Sequence, residues 1–375
     1  MPSNSYDLVV LGDDLAALVC ATLCAHRGLS PLVLGDDRPA RSALGPHKLP
    51  IEPVLWPVGP GSPGERVLKE LHAEMALRRK LREPKIAAQL VAADLRVDLG
   101  TDRIAGELQR EIGDAAEDWL ARWQKGRDTA RLADPLLASE HAYPGVGFFE
   151  RREVTRLAET ATEAADAWWR DAEASANAAL WKQLAIVARR HPAPPPLGIA
   201  RAIDAWYAGP PAMRGDGDSI RELLVEKLTT AGGEVRSGTV TELDVSWGKI
   251  GSVTLASGDD LGCGQVVASR SPAELVELLG KKAPKKLTEL AEASSLVGYR
   301  YTLNIVIDEA GIPEHMAPTV AVLEDAPYSI HLSEPDDAGR VVATVATVIP
   351  VEGPIEPDRL SARMMAIRTA LWRRL

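Results

Sequence analysis

The stretch from Tyr6 to Gly35 constrains the fold more than any other part of the sequence. Tyr6-Asp7-Leu8-Val9-Val10-Leu11-Gly12 is a short apolar run closed by glycine, the composition of a strand covered on both faces and ending in a tight turn. Leu15 to His26 is almost wholly apolar, Ala16, Ala17 and Ala21 let a helix lie close to a sheet, and Gly28 is placed to end it. Pro31-Leu32-Val33-Leu34-Gly35 then reads as a second buried strand. Two strands joined through a helix make a parallel βαβ unit, so the fold class is α/β.

The rest of the chain divides by texture. Leu44 to Gly64 is dense in proline and glycine and predicts an extended excursion out of the first domain. Helices are expected over Glu65–Arg82 and Arg103–Gln124, and a long helix or helix pair over Thr155–Arg190 carries Trp168, Trp169 and Trp181 as core anchors. The run His191-Pro192-Ala193-Pro194-Pro195-Pro196 reads as a stiff connector. Ser219–Thr230 has the pattern of an amphipathic helix stopped by Ala231-Gly232-Gly233, and Glu234-Val235-Arg236 begins a strand. A hairpin over Thr239–Val245 and Lys249–Leu255 turns at Trp247-Gly248, and Gln265–Ala268 is a further short strand. From Tyr299 to Asp308 apolar and polar residues alternate with period two, the mark of a half-buried antiparallel strand, and Tyr328–Leu332 and Val341–Val348 extend that sheet. A last helix starts near Pro357 with an apolar stripe of Leu360, Met364, Ile367 and Leu371.

Composition removes several function classes. The net charge of −10 is spread along the chain and argues against nucleic-acid binding; Lys281, Lys282, Lys285 and Lys286 read as a solvated helix end. No run approaches the roughly 18 to 20 apolar residues of a membrane span, and Met1–Tyr6 lacks the pattern of a signal peptide, which leads to the expectation of a cytoplasmic protein. Three cysteines give no disulfide framework, Cys20 and Cys24 read as small buried thiols on one helix face, and seven scattered histidines offer no metal spacing.

The order of elements resembles that of the phytoene-desaturase and amine-oxidase-like flavoproteins: the βαβ unit, a helical excursion, then Met213-Arg214-Gly215-Asp216-Gly217-Asp218-Ser219-Ile220-Arg221-Glu222-Leu223-Leu224, Gly232-Gly233-Glu234-Val235 and a hairpin containing Ser257-Gly258. The likeness is clearest over residues 5–38 and 210–280. It implies a Rossmann-like FAD/NAD(P)-binding domain from residues 1–60 and 205–295, and an interleaved α+β substrate domain from 61–204 and 296–375. It also implies FAD as cofactor and an oxidoreductase acting on a hydrophobic small molecule, with the flavin carrying the chemistry and no acid–base pair required of the chain. The cofactor-binding positions it points to are Gly12, Asp13, Asp14, Leu15, Ala16, Gly35, Asp36, Val235 and Ala268.

At those positions the sequence departs from the pattern. The phosphate-binding turn G-x-G-x-x-G reads Gly12-Asp13-Asp14-Leu15-Ala16-Ala17, so only the first glycine is kept. Asp14 at a helix N-terminus caps the first N–H groups and takes the place and charge that a pyrophosphate needs, with Asp13 adding a second negative charge. The ribose-binding acid expected after Val33-Leu34 is Gly35, with Asp36 one residue late. The family's C-terminal return to the flavin domain is not met before Leu375, the signature of either a piece of a longer chain or a relative without that segment. Two functions therefore stand open: an FAD-dependent oxidoreductase, or a flavin-free relative that uses the fold as a binding or interaction module.

Overall fold

The computed structural model describes residues 4–35, 41–50, 63–82, 84–100, 102–139, 141–142, 145–175, 177–210, 212–214, 219–351, 353 and 355–372. The strands of its two six-stranded sheets are β1 (Asn4–Leu11), β2 (Pro31–Gly35), β3 (Ala88–Ala92), β4 (Leu95–Leu99), β5 (Glu234–Ser237), β6 (Val240–Ser246), β7 (Lys249–Leu255), β8 (Asp260–Ala268), β9 (Gly298–Asp308), β10 (Thr319–Val322), β11 (Tyr328–Leu332) and β12 (Arg340–Pro350). The helices that cover them are α1 (Leu15–His26), α2 (Ile104–Ile112), α3 (Ala116–Arg131), α4 (Phe148–Glu173), α5 (Ala178–Arg189), α6 (Pro196–Tyr207), α7 (Ser219–Thr230), α8 (Pro272–Leu279), α9 (Lys285–Ala293) and α10 (Pro357–Trp372). The chain falls into two compact units, Met1–Ser42 with Val67–Arg79 and Asp218–Ser295, and Ala43–Arg66 with Lys80–Gly217 and Leu296–Leu375.

The first unit holds the sheet ordered β6-β7-β8-β1-β2-β5. Its four central and outer strands β8, β1, β2 and β5 are parallel, and Val267, Val9, Val33 and Val235 lie on these four neighbours. Numbered in chain order, β5, β2, β1 and β8 run third, second, first, fourth across the sheet, which is the Rossmann order through its switch point between the first and fourth strands. Side chains alternate between two covered faces. Val9, Leu11, Leu32 and Leu34 pack with Leu243, Val253, Leu255, Leu261 and Cys263 under Leu275, Leu278 and Leu279 of α8. Leu8, Val10 and Val33 are buried as fully on the opposite face, where α1 crosses β1 and β2 and packs against α7. The Thr22 hydroxyl donates to the carbonyls of Leu18 (2.6 Å) and Leu224 (3.2 Å), tying the two helices together. The hairpin between β6 and β7 turns through Trp247 (φ 53°) and Gly248 (φ 74°), the left-handed pair of a tight two-residue turn.

The second unit holds the mixed sheet ordered β9-β12-β11-β10-β3-β4. One end of it is covered by α2 to α6 around five fully buried tryptophans, Trp119, Trp123, Trp168, Trp181 and Trp206. Trp168 stacks on Trp181 with ring centroids 6.2 Å apart, and the Trp123 indole donates to the Ile203 carbonyl at 3.1 Å. The other face is closed by α10, whose Leu360, Met364 and Ile367 are half-buried and whose Leu371 is buried with Val320, Tyr328, Ile330 and Val345.

Several expectations need correction. The segment expected as one helix to Arg82 is two helices, Pro63–Glu70 and Glu74–Lys80, and Leu81–Arg82 pairs as a short strand with Ala212–Met213. The proline connector ends inside structure: Pro196 is the first residue of α6, where its missing N–H costs nothing. Strands β3, β4 and β10 were not expected at all. Much of the excursion expected over Leu44–Gly64 lies outside the described residues, apart from a small hairpin of Arg41–Leu44 with His47–Pro50.

Candidate functional site: the carboxyl edge of the parallel sheet

In an open α/β sheet the ligand crevice lies beyond the carboxyl ends of the strands, where the order reverses. Here that edge is made by Gly12 after β1, Gly35 ending β2, and Ser269 after β8, with the N-termini of α1 and α7 beside them. Gly12 adopts φ +107°, its N–H bonds the Leu34 carbonyl at 2.8 Å, and the Ser269 N–H bonds the Leu11 carbonyl at 2.8 Å. The turn is thus pinned on both sides.

The room at both glycines is already used. A Cβ on Gly12 would meet the Ser269 Cβ and carbonyl oxygen at 3.1 Å. A Cβ on Gly35 would meet the Asp13 carboxyl carbon and Oδ2 at 3.0 Å. So the bare backbone that a dinucleotide site uses to admit phosphate and ribose here admits Ser269 and Asp13 instead.

Both aspartates are held by side-chain partners. Asp13 receives two donations from the Arg221 guanidinium, one to its carbonyl and one to Oδ2, and both side chains are partly buried. Asp14 is the N-cap of α1: with extended backbone it accepts the Ala17 N–H at 2.9 Å, and its other oxygen receives the Ser269 hydroxyl. The helix end has its own anion, and the nearby cation is committed to another. Leu15 is half-buried and Ala16 exposed on the first turn of α1.

The remaining expected positions fall at different distances from the crevice. Ala268 pairs with Leu11 at the crevice, half-buried. Val235 pairs with Val33, two residues short of the end of β5, and is partly exposed. Asp36 lies outside the described residues. The sequence reading gave the closing role to Asp14 with Gly35; the contact at Gly35 is made by Asp13, which turns away from the helix end towards β2. Arg221 and Ser269 were missed as site residues. Arg221 sits in the first turn of α7, and no local pattern shows that it reaches a residue 208 positions away.

Cys20 and Cys24 lie half-buried on α1, and burial, then the neighbouring Cys24, raises the Cys20 thiol above its usual range. Among the described residues no group of histidine, cysteine and carboxylates could hold a metal ion, and no helix is long and apolar enough to cross a membrane.

Strand order and crevice define the class: a mixed α/β protein with a Rossmann-like unit, in which Ser269 and Asp13 pack against the glycines at the carboxyl edge. No protein-family model matches the sequence, and no curated protein does either. Solved structures do resemble it. An oxidoreductase from Methanosarcina mazei superposes with a TM-score of 0.59 at 12% identity, over 97% of this chain and 82% of that one. A putrescine oxidase variant redesigned in cofactor binding gives 0.59 at 13% identity, over 92% and 75%. A Rab GDI from Plasmodium falciparum gives 0.51 at 12% identity, over 96% and 86%. At such identities the likeness establishes the fold.

Proposed function

We propose that this chain is a flavin-free relative of the fold's oxidoreductases, a cytoplasmic binding protein for a hydrophobic small molecule. The observation that carries the first part is the double use of the glycines: Asp13 occupies the space at Gly35 and Ser269 the space at Gly12. The residues present therefore do not fit FAD. A pyrophosphate would have to displace Asp14 from the α1 N-terminus and meet two carboxylates with one committed arginine, and like-charge contact in a partly desolvated site costs several kcal/mol. The fold permits such a role, since it is shared by proteins named as oxidases and by one named as a Rab GDI. The hydrophobic ligand rests on the resemblance to the phytoene-desaturase type.

The second reading, an FAD-dependent oxidoreductase of that type, is favoured by the parallel strand order and by the left-handed Gly12 at the first turn. One preparation separates the two. Protein purified from cells and denatured should release no flavin, while organic extraction recovers a hydrophobic compound. Release of flavin near one per chain would overturn the first reading and establish the second.

A further inference from the structure

Val146, Phe148 and Phe149 are among the most exposed large apolar side chains of the protein, at 74%, 70% and 83%. They are contiguous at the start of α4, and the two phenyl rings meet each other edge to face at 5.5 Å. Scattered apolar residues on a surface are ordinary, but a contiguous aromatic tip marks a contact surface.

The tip is held in shape. The Glu150 carboxylate accepts the N–H groups of Ala142 (2.8 Å), Val146 (2.8 Å) and Gly147 (3.4 Å), and Arg151 donates to the Val146 carbonyl at 3.1 Å. One turn further on, Val154 is buried and anchors the helix. The phenylalanines are thus presented by a braced turn.

We propose that this tip docks the protein on an anionic lipid bilayer, with Val146, Phe148 and Phe149 entering the interface and Arg151 and Arg152 against the headgroups. Two features select a bilayer over a protein. Two phenylalanines and a valine bury roughly 400 Å² between them, well below the interface of a stable dimer, whereas a bilayer needs no matching groove. Against the chain's −10, the tip from Val146 to Arg156 carries three arginines and two glutamates: Arg151 and Arg152 are exposed beside the aromatic residues, Glu153 is paired with Arg156 at 2.6 Å, and Glu150 is turned onto backbone N–H groups. Exposed aromatic residues with neighbouring cations are the composition of an interfacial anchor, and anionic lipid is concentrated on the cytoplasmic leaflet. The inference stands whether or not the crevice of the first unit takes a cofactor.

The test is co-sedimentation of the full chain with vesicles of phosphatidylcholine alone and of a roughly two-to-one mixture with phosphatidylglycerol. The wild-type protein should sediment with the mixed vesicles. Phe148→Ser with Phe149→Ser should weaken that binding about tenfold or more without shifting the thermal melt, because both residues are exposed. Arg152→Gln should lower binding to the mixed vesicles about fivefold and leave binding to pure phosphatidylcholine unchanged. Failure of the wild type to sediment with mixed vesicles, or equal binding by the double variant, would overturn the proposal. So would a lipid-independent dimer that the double variant dissolves, which would assign the tip to a second copy of the chain.

Discussion

At the carboxyl edge of the first sheet the polar residues are charged and paired between distant elements, Asp13 with Arg221 and Asp14 with Ser269. In the second sheet the buried polar side chains, Gln89, Thr319, Ser329, Thr344 and Thr347, are neutral and lie within the strands. The His331 ring is 2.9 Å from the Ser329 hydroxyl, and Thr344 donates to Asn304 at 2.7 Å on the neighbouring strand. The two arrangements store electrostatic free energy differently. Burial, then the Arg190 charge, pushes His331 down to about 3 and holds it neutral. A closed ionic edge opposes an entering anion; a sheet that keeps His331 neutral loses stability in acid.

The largest effect that separates the sheets is therefore pH-dependent. His331 has a folded pKa of about 3 against an ordinary 6.5. Below 6.5 the unfolded chain binds a proton that the folded chain refuses, so its contribution to stability is intact above 6.5 and declines as pH falls towards 3. The slope should approach about 1.4 kcal/mol per pH unit in the middle of that window. Urea unfolding followed between pH 7 and 4 should show the slope, and His331→Phe should flatten it; a variant with an unchanged slope would break the contrast.

Next in size is the ion pair of the first sheet. Arg221→Leu leaves Asp13 without its donor and should cost about 1 to 3 kcal/mol, reduced from the fully buried case because 24% of the arginine and 34% of the aspartate side chain remain exposed. In the Asp13→Asn background the same change should cost less, and the difference measures the coupling. Asp14→Ala removes the α1 cap and the Ser269 partner together, for about 1 kcal/mol. Gly35→Ala is the smallest of the set: its methyl meets Asp13 at 3.0 Å and should cost about 0.5 to 1 kcal/mol, and nothing once Asp13 is glycine. Equal costs in both backgrounds would mean that Asp13 does not fill that space.

What was legible in the sequence follows from how local each signal is. The helix over Leu15–His26, the helix over Ser219–Thr230 and the strands Pro31–Gly35, Lys249–Leu255 and Tyr328–Leu332 all appear at the expected bounds, because periodicity and glycine stops are written in adjacent residues. Thr319–Val322 is four residues long, and its partners are the following strand and Gln89–Val91, far away in the chain, so its strand character is conferred by pairing. The site shows the same division. Asp14 as a helix cap follows from its position before an apolar run, whereas Arg221 reaches Asp13 only after two parallel strands and two helices have been assembled. The closing of Gly35 by Asp13 rather than by Asp14 is tertiary in the same sense.

The central claim is that the crevice is closed by the protein's own side chains, and titration of FAD into the native full chain tests it most directly. Flavin fluorescence should show no saturable change with the wild-type protein, while Asp13→Gly, which removes the carboxylate beside Gly35 and frees Arg221, should gain measurable quenching. Tight, stoichiometric quenching by the wild type, weakened by Asp13→Gly, would contradict the account and make Asp13 a ligand of the cofactor.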